Sequence, residues 1–179
     1  MKKIKTIIAL CLVGMVLFLD IPVRAASLEA DVSASDIIKI DVEEETEDTG
    51  KTLAEVLGNF DARATSMPKD TWDWSNGTYS SSFEIDYEVC YTRYNFTGYS
   101  TLYVATKAER DKYTPASDVY YLYVMTGSGQ GIIQTSKELN TTDLVHMEIS
   151  NLKPDKKYAF AIVKANDGST LTGTISVFN

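Results

Sequence analysis

The sequence predicts an all-β protein, a two-layer antiparallel β-sandwich of seven or eight strands preceded by one short amphipathic helix. Three observations carry that expectation. From Thr65 onward, runs with apolar residues at every second position give the period of half-buried strands. Between them fall turn clusters at Asn76-Gly77, Tyr113-Thr114-Pro115, Gly127 to Gly131 and Asn166 to Ser169, a spacing that suits one two-sheet domain. Near the end, Leu152, Pro154 and Tyr158 stand in the order of a tyrosine corner, in which the phenol bonds back to backbone and fixes where the chain enters its penultimate strand.

Taken in order, the chain opens with Lys2, Lys3 and Lys5 ahead of the uncharged run Ile7 to Leu19, followed by Val23-Arg24-Ala25. This predicts a secretory signal peptide over residues 1–25, cleaved after Ala25. Its 13 apolar residues fall short of the ~20 needed to cross a bilayer, so membrane insertion after cleavage is not expected. Cys11 follows Leu10 rather than a small residue, which argues against a lipid anchor, and no sorting tail follows Phe178-Asn179. The expected location is outside the cell, with cell-surface association open and covalent anchoring not signalled. With Cys11 removed, Cys90 is the remaining thiol, so stability must come from an apolar core rather than an intrachain disulfide.

Charge divides the chain. Residues 1–26 carry +3, residues 27–64 carry −8 and residues 65–179 carry −3, so loss of the leader from a chain of −8 leaves a mature portion near −11. Such a surface repels phosphate backbones and anionic lipid, which excludes nucleic acid as the expected partner. Residues 26–50, with the like-charge run Glu43 to Asp48, predict an acidic disordered linker, because no aromatic area is available to offset ordering entropy. The run also lacks the spaced ligands and turn glycine of a calcium loop.

Residues 51–64 predict a short helix and linker. Leu53, Val56, Leu57 and Phe60 recur at helical spacing, with Thr52 and Glu55 placed as a capping box and an end near Gly58-Asn59. Two turns are unstable alone in water. The stripe is expected to lie across an open end of the sandwich, with a docking role in a partner groove as the alternative.

The β-sandwich domain is assigned to residues 65–179. A first strand is expected around Asp70 to Ser80. The next, Ser82 to Tyr91, puts Phe83, Ile85, Tyr87, Val89 and Tyr91 on one face. Ser100 to Thr106, Val119 to Thr126, Ile132 to Thr135, Leu144 to Ile149, Lys157 to Ala165 and Leu171 to Phe178 follow. Asn166 to Ser169 is expected to close a hairpin between the last two, since Asp-Gly tolerates tight-turn geometry. Cys90 is expected to sit half-buried as a small hydrophobe.

Leu152, Pro154 and Tyr158, with Phe160 and Ile162 continuing an inward face, resemble a fibronectin type III module, one of the immunoglobulin-like sandwiches. The resemblance covers the C-terminal part only. It implies an Ig-like order of strands, the last hairpin at Asn166 to Ser169, and Tyr87 or Tyr91 in the core place of the family's early tryptophan. It also implies a spacer or recognition unit, without the family's integrin-binding tripeptide.

No catalytic constellation stands out. His146 is the sole histidine, expected as a satisfied surface residue, and one His with one Cys cannot supply a zinc shell. No Gly-x-Ser-x-Gly elbow occurs. Asp70 with Asp73, or Asp86 with Glu88, offers carboxylate pairs more simply read as solvated, and Gly127 to Gly131 lacks the lysine and helix of a phosphate cradle. The expectation is a non-enzyme with no cofactor and no metal.

Aromatic content supplies the remaining hint. All eleven tyrosines and both tryptophans fall between Trp72 and Tyr158. The strand Val119 to Met125 is apolar on both faces, so either the helix covers its outside or its rings are exposed. Candidate ligand-binding residues are therefore Trp72, Trp74, Tyr103, Tyr120, Tyr121 and Tyr123. Two functions follow: a secreted adhesive or protein-binding module, or a carbohydrate-binding module with an aromatic platform. The partner is an extracellular protein or a glycan; its identity and the oligomeric state are not encoded in any motif.

Overall fold

A computed structural model describes residues 37–43, 47–58, 66–111 and 118–179. The expected leader over residues 1–25, the centre of the acidic run at 44–46 and Phe60 of the apolar stripe lie outside them. The described residues form β1 (Ile37–Asp41), α1 (Leu53–Leu57), β2 (Tyr79–Ile85), β3 (Val89–Tyr91), β4 (Leu102–Arg110), β5 (Val119–Thr126), β6 (Ile132–Asn140), β7 (Val145–Ser150), β8 (Tyr158–Val163) and β9 (Leu171–Phe178). One sheet runs β1-β7-β4-β9-β2 and the other β3-β8-β5-β6, giving the expected all-β sandwich.

The pairing has a simple logic. β2 pairs with β9, β3 with β8, β4 with β7 and β5 with β6, all antiparallel. This is one long ribbon folded over so that successive pairs fall in alternate sheets. Closure comes from β4 against β9 and β5 against β8. That is the arrangement of an eight-stranded jelly roll, to which β1 adds a parallel edge strand beside β7. In the immunoglobulin order the last two strands are neighbours in one sheet. Here β8 and β9 lie in different sheets, so Asn166 to Ser169 is a crossover rather than the expected hairpin.

Four further expectations are corrected. The run Ser82 to Tyr91 is two strands, because the chain leaves one sheet at Ile85 and enters the other at Val89. Phe83 and Ile85 face the core, whereas Tyr87 in the link is 77% exposed and Tyr91 faces outward, so neither tyrosine replaces a core tryptophan. The segment Asp70 to Ser80 supplies only the first residues of β2; before them Trp74–Asn76 forms a 3-10 turn. Finally, Ile37–Asp41 is a strand within the segment assigned to a disordered linker, because Ile38 and Ile40 reach the core.

The core between the sheets is built from Tyr79, Phe83, Leu102, Val104, Leu122, Val124, Phe160, Ile162, Ile175 and Val177, joined by Tyr120. A second cluster lies on the outside of the four-stranded sheet, where Leu53 of α1 packs with Met67, Tyr123, Met125 and Ile133. The helix thus covers the outer face of β5 instead of an open end, and this accounts for β5 being apolar on both sides. Its capping box is formed: Glu55 N donates to Thr52 Oγ1 at 3.3 Å, and Thr52 N donates to Glu55 Oε2 at 2.7 Å. The backbone of Gly50 and Lys51 then bonds to Ile133, fastening this layer along the edge of β6.

The tyrosine corner is present. Lys153 N donates to the Tyr158 hydroxyl at 2.9 Å, and Leu152 and Tyr158 are both buried.

Candidate binding site

β2 and β3 are the edge strands of their sheets on the same side of the sandwich. The link Asp86-Tyr87-Glu88 carries the chain from one to the other, so the two edges splay instead of pairing. Between them opens a cleft of about 230 Å3. Its floor is Phe83, Ile162 and Ile175, and its walls include Ser81, Cys90 and Tyr91. Two charged residues complete the lining, Glu84 toward the end of β2 and Arg93 beyond β3. The Arg93 amide donates to the Tyr79 hydroxyl at 3.1 Å, which places Arg93 by the start of β2.

Burial sets the chemistry of the wall. The Cys90 thiol is pushed up by burial, only partly offset by Arg93, so it stays protonated at neutral pH and is a poor nucleophile. Tyr91 is pushed up to about 12 by burial and donates its hydroxyl to Gln130 O at 2.7 Å. The cleft therefore offers apolar depth and polar ends.

The aromatic residues do not form one platform. Trp72 and Trp74 stand together ahead of β2, in a cluster with Tyr79, Tyr94, Phe96 and Tyr99. Their contacts are mostly edge-to-face, with interplanar angles of 75° for Trp72 on Tyr79 and 82° for Trp74 on Tyr99. Both indole N–H groups are used internally, Trp72 Nε1 to Gly77 O and Trp74 Nε1 to Thr97 O. Asn95 holds this region in place, its side-chain amide donating to Pro68 O and its backbone to Asp70 O.

The other candidates are dispersed. Tyr103 lies on the outer face of the five-stranded sheet, stacked on Phe178. Tyr120 is 0% exposed between the sheets. Tyr121 and Tyr123 lie in the cluster around α1; Tyr121 donates to Glu138 Oε2 at 2.6 Å, and burial with Asp48 nearby pushes the Tyr123 hydroxyl up. Cleft residues Ser81, Glu84, Tyr91 and Arg93 were missed because the sheet switch was read as one continuous strand.

Two remaining groups do not line the cleft. His146 is half-buried with Nε2 enclosed and unpartnered, not the satisfied surface histidine expected. At the crossover, Arg110 donates to Ser169 Oγ at 2.7 Å and to Val119 O at 2.6 Å, and lies 3.4 Å from Asp167. Lys164, its side chain 0% exposed, sits 3.7 Å from the same carboxylate. Burial alone would push Asp167 up, but Ser169 hydrogen bonds and the two cations outweigh it and hold the carboxyl well below its usual range. Burial pushes Lys164 down.

Among the described residues no group of His, Cys, Asp and Glu is placed to hold a metal, and no helix is long and apolar enough to cross a membrane. No family model matches the chain, and neither a curated protein nor a solved structure does.

Proposed function

We propose that this chain is a non-catalytic binding module, exported through its N-terminal signal sequence and displaying a protein-interaction surface outside the cell. The observation that carries this reading is the open edge of the sandwich, where a strand with no neighbour on one side among the described residues borders an apolar cleft with charged ends. Main-chain groups on a free edge give affinity, and a bordering pocket gives selectivity. The acidic balance of the chain favours cationic partner surfaces and disfavours anionic ones. A protonated, half-buried thiol in the cleft supports binding over covalent chemistry.

The likeness to a fibronectin type III module rests on the corner at Leu152, Pro154 and Tyr158. It supports a display scaffold, while the different strand order carries over no family ligand. The glycan reading keeps one specific support, the half-buried pair Trp72 and Trp74 at one end of the sandwich. Against it stand the edge-to-face rings, which present no coplanar array, and the internally bonded indoles.

The test is site-specific photo-crosslinking in the producing culture. A photoreactive side chain at Tyr87, beside the cleft and 77% exposed, is expected to yield a discrete protein adduct, whereas one at Lys107 on the outer sheet face is not. Absence of a protein adduct at Tyr87, together with polysaccharide-dependent quenching of Trp72 and Trp74 fluorescence, would replace the protein reading with the glycan one.

A further inference from the structure

Each edge of the two sheets is open to a different degree. β6 is fastened along part of its length by Thr49, Gly50 and Lys51, carries Lys137 and Glu138, and has a register shift against β5. β3 has only three residues, and β1 has five, with Lys39 and Asp41 on its outer side. Charges, irregular register and shortness are the usual devices that keep an edge from pairing with another chain. β2 is the least protected of the edges, its single charge being Glu84 next to its last residue. It runs seven residues, Tyr79–Ile85, without lysine, arginine, proline or register shift, and Ser80-Ser81-Ser82 follows its first residue. Opposite β9, every second residue of such an edge turns its N–H and C=O outward.

The surroundings of β2 specify what would pair there. The cleft floor of Phe83, Ile162 and Ile175 accepts an apolar side chain at alternate positions of an added strand. Charge is polarised along the edge: Arg93 stands by Tyr79 at its start, and Glu84 with exposed Asp86 stands at its end. Five residues of extended chain separate the two ends, roughly 17 Å.

We infer that β2 receives an extended peptide segment of a protein partner as an additional strand. Its apolar residues alternate into the cleft, a basic residue meets Glu84 and Asp86, and an acidic residue meets Arg93. This rests on the protein-binding reading and names the surface and partner chemistry. A module that binds protein beside the cleft without adding a strand would still give the Tyr87 adduct while failing the test below.

The probe is a capped heptapeptide of sequence Glu-Val-Ser-Val-Ser-Val-Lys, titrated into 15N-labelled residues 26–179, with a version in which serine replaces every valine as comparison. The expected result is saturable shifts confined to amides of residues 79–85 and 89–93, at least fivefold weaker for the serine version and several-fold weaker in Arg93→Glu. Because backbone direction alternates, one of Ser81→Pro and Ser82→Pro removes a bond to β9 and the other only an outward N–H. The variant that keeps the parent melting temperature is expected to lose the shifts. Shifts mapping elsewhere, no shifts with the unmodified chain, or equal binding by the stable proline variant would overturn the inference. Shifts of the β2 amides with protein concentration alone would also overturn it, assigning the edge to a second copy.

Discussion

Replacing Tyr158 by Phe isolates one hydrogen bond at the point where the chain bends into β8. The ring is retained, and Tyr158 is 2% exposed against Leu152, so the apolar contact is nearly unchanged. What disappears is the acceptor for Lys153 N, 2.9 Å away. The flanking backbone bonds between Tyr158 and Phe96 remain. A neutral hydrogen bond contributes about 1 kcal/mol net, and an amide left without a partner costs about 1–3 kcal/mol. Lys153 itself is exposed, so water reaches part of that amide's surroundings and the expected loss is about 1–2 kcal/mol. For a domain of this size that lowers Tm by roughly 3–8 °C. Urea unfolding followed by Trp72 and Trp74 fluorescence measures it, with an unchanged m-value marking a native-state effect. Tyr103→Phe serves as comparison: its ring is half-buried on the outer sheet face, and its loss should stay within about 0.5 kcal/mol. A midpoint for Tyr158→Phe equal to wild type, or an equal loss in Tyr103→Phe, would refute the corner as the device that sets the bend.

Other perturbations separate the layers. Leu53→Ala should cost about 2–3 kcal/mol in the same assay, since Leu53 is 0% exposed among Met67, Tyr123, Met125 and Ile133; a neutral effect would mean α1 does not stabilise the outer face. Gly173→Ala should cost about 2 kcal/mol or more, because an added Cβ meets the Lys107 carbonyl and lies 2.5 Å from Phe83 Cζ; adding Phe83→Leu should not restore stability, as the backbone contact persists. Asp167→Asn should cost about 1–2 kcal/mol, less than the ~3–5 of a fully buried pair because the carboxylate is 22% exposed. With a folded-state value below the ordinary one near 4, the Asp167 contribution is fully present above about pH 5 and declines as pH falls below about 4. Thermal melts of both chains should therefore converge on acidification, and a gap constant down to pH 2 would sink the assignment.

Local rules in the sequence reached far into this fold. Alternation located β5, β8 and β9 to within a residue or two, and the Thr52–Glu55 box located α1. The corner at Tyr158 was legible because its parts are separated by only five residues. What failed was non-local. Phe83 to Tyr91 keeps one alternating phase throughout, and nothing in that phase reports that Ile85 and Val89 belong to different sheets. The phase survives because the outer face of the second sheet is itself apolar beneath α1, so Val89 and Tyr91 find burial on the outside. Composition misled in the same way at Ile37–Asp41, where acidic neighbours mask a strand held by its pairing with β7 and by Ile38 and Ile40 packing on the core. The candidate rings were chosen by type, and type does not distinguish Tyr120 in the core from Tyr99 at the surface.

The sheet switch is also what creates the site. Had Ser82 to Tyr91 continued as one strand, its backbone would lie along one sheet, and the sandwich would close at that side with a single edge. Divergence at Asp86-Tyr87-Glu88 instead sends two edges apart over a shared apolar floor, exposing Tyr87 and leaving β2 with one partner strand among the described residues. The crossover between cleft residues Ile162 and Ile175, which brings β9 beside β2, is held by Arg110, Lys164 and Asp167. Thr170 also donates to Asp86 at 2.9 Å, tying that crossover directly to the switch. Loosening the Asp167 cluster should therefore widen exchange of the β2 amides before the rest of the sheet, whereas loosening the α1 layer should leave them protected. The two ends of the ribbon are one mechanical unit because the jelly-roll pairing makes β2 depend on β9.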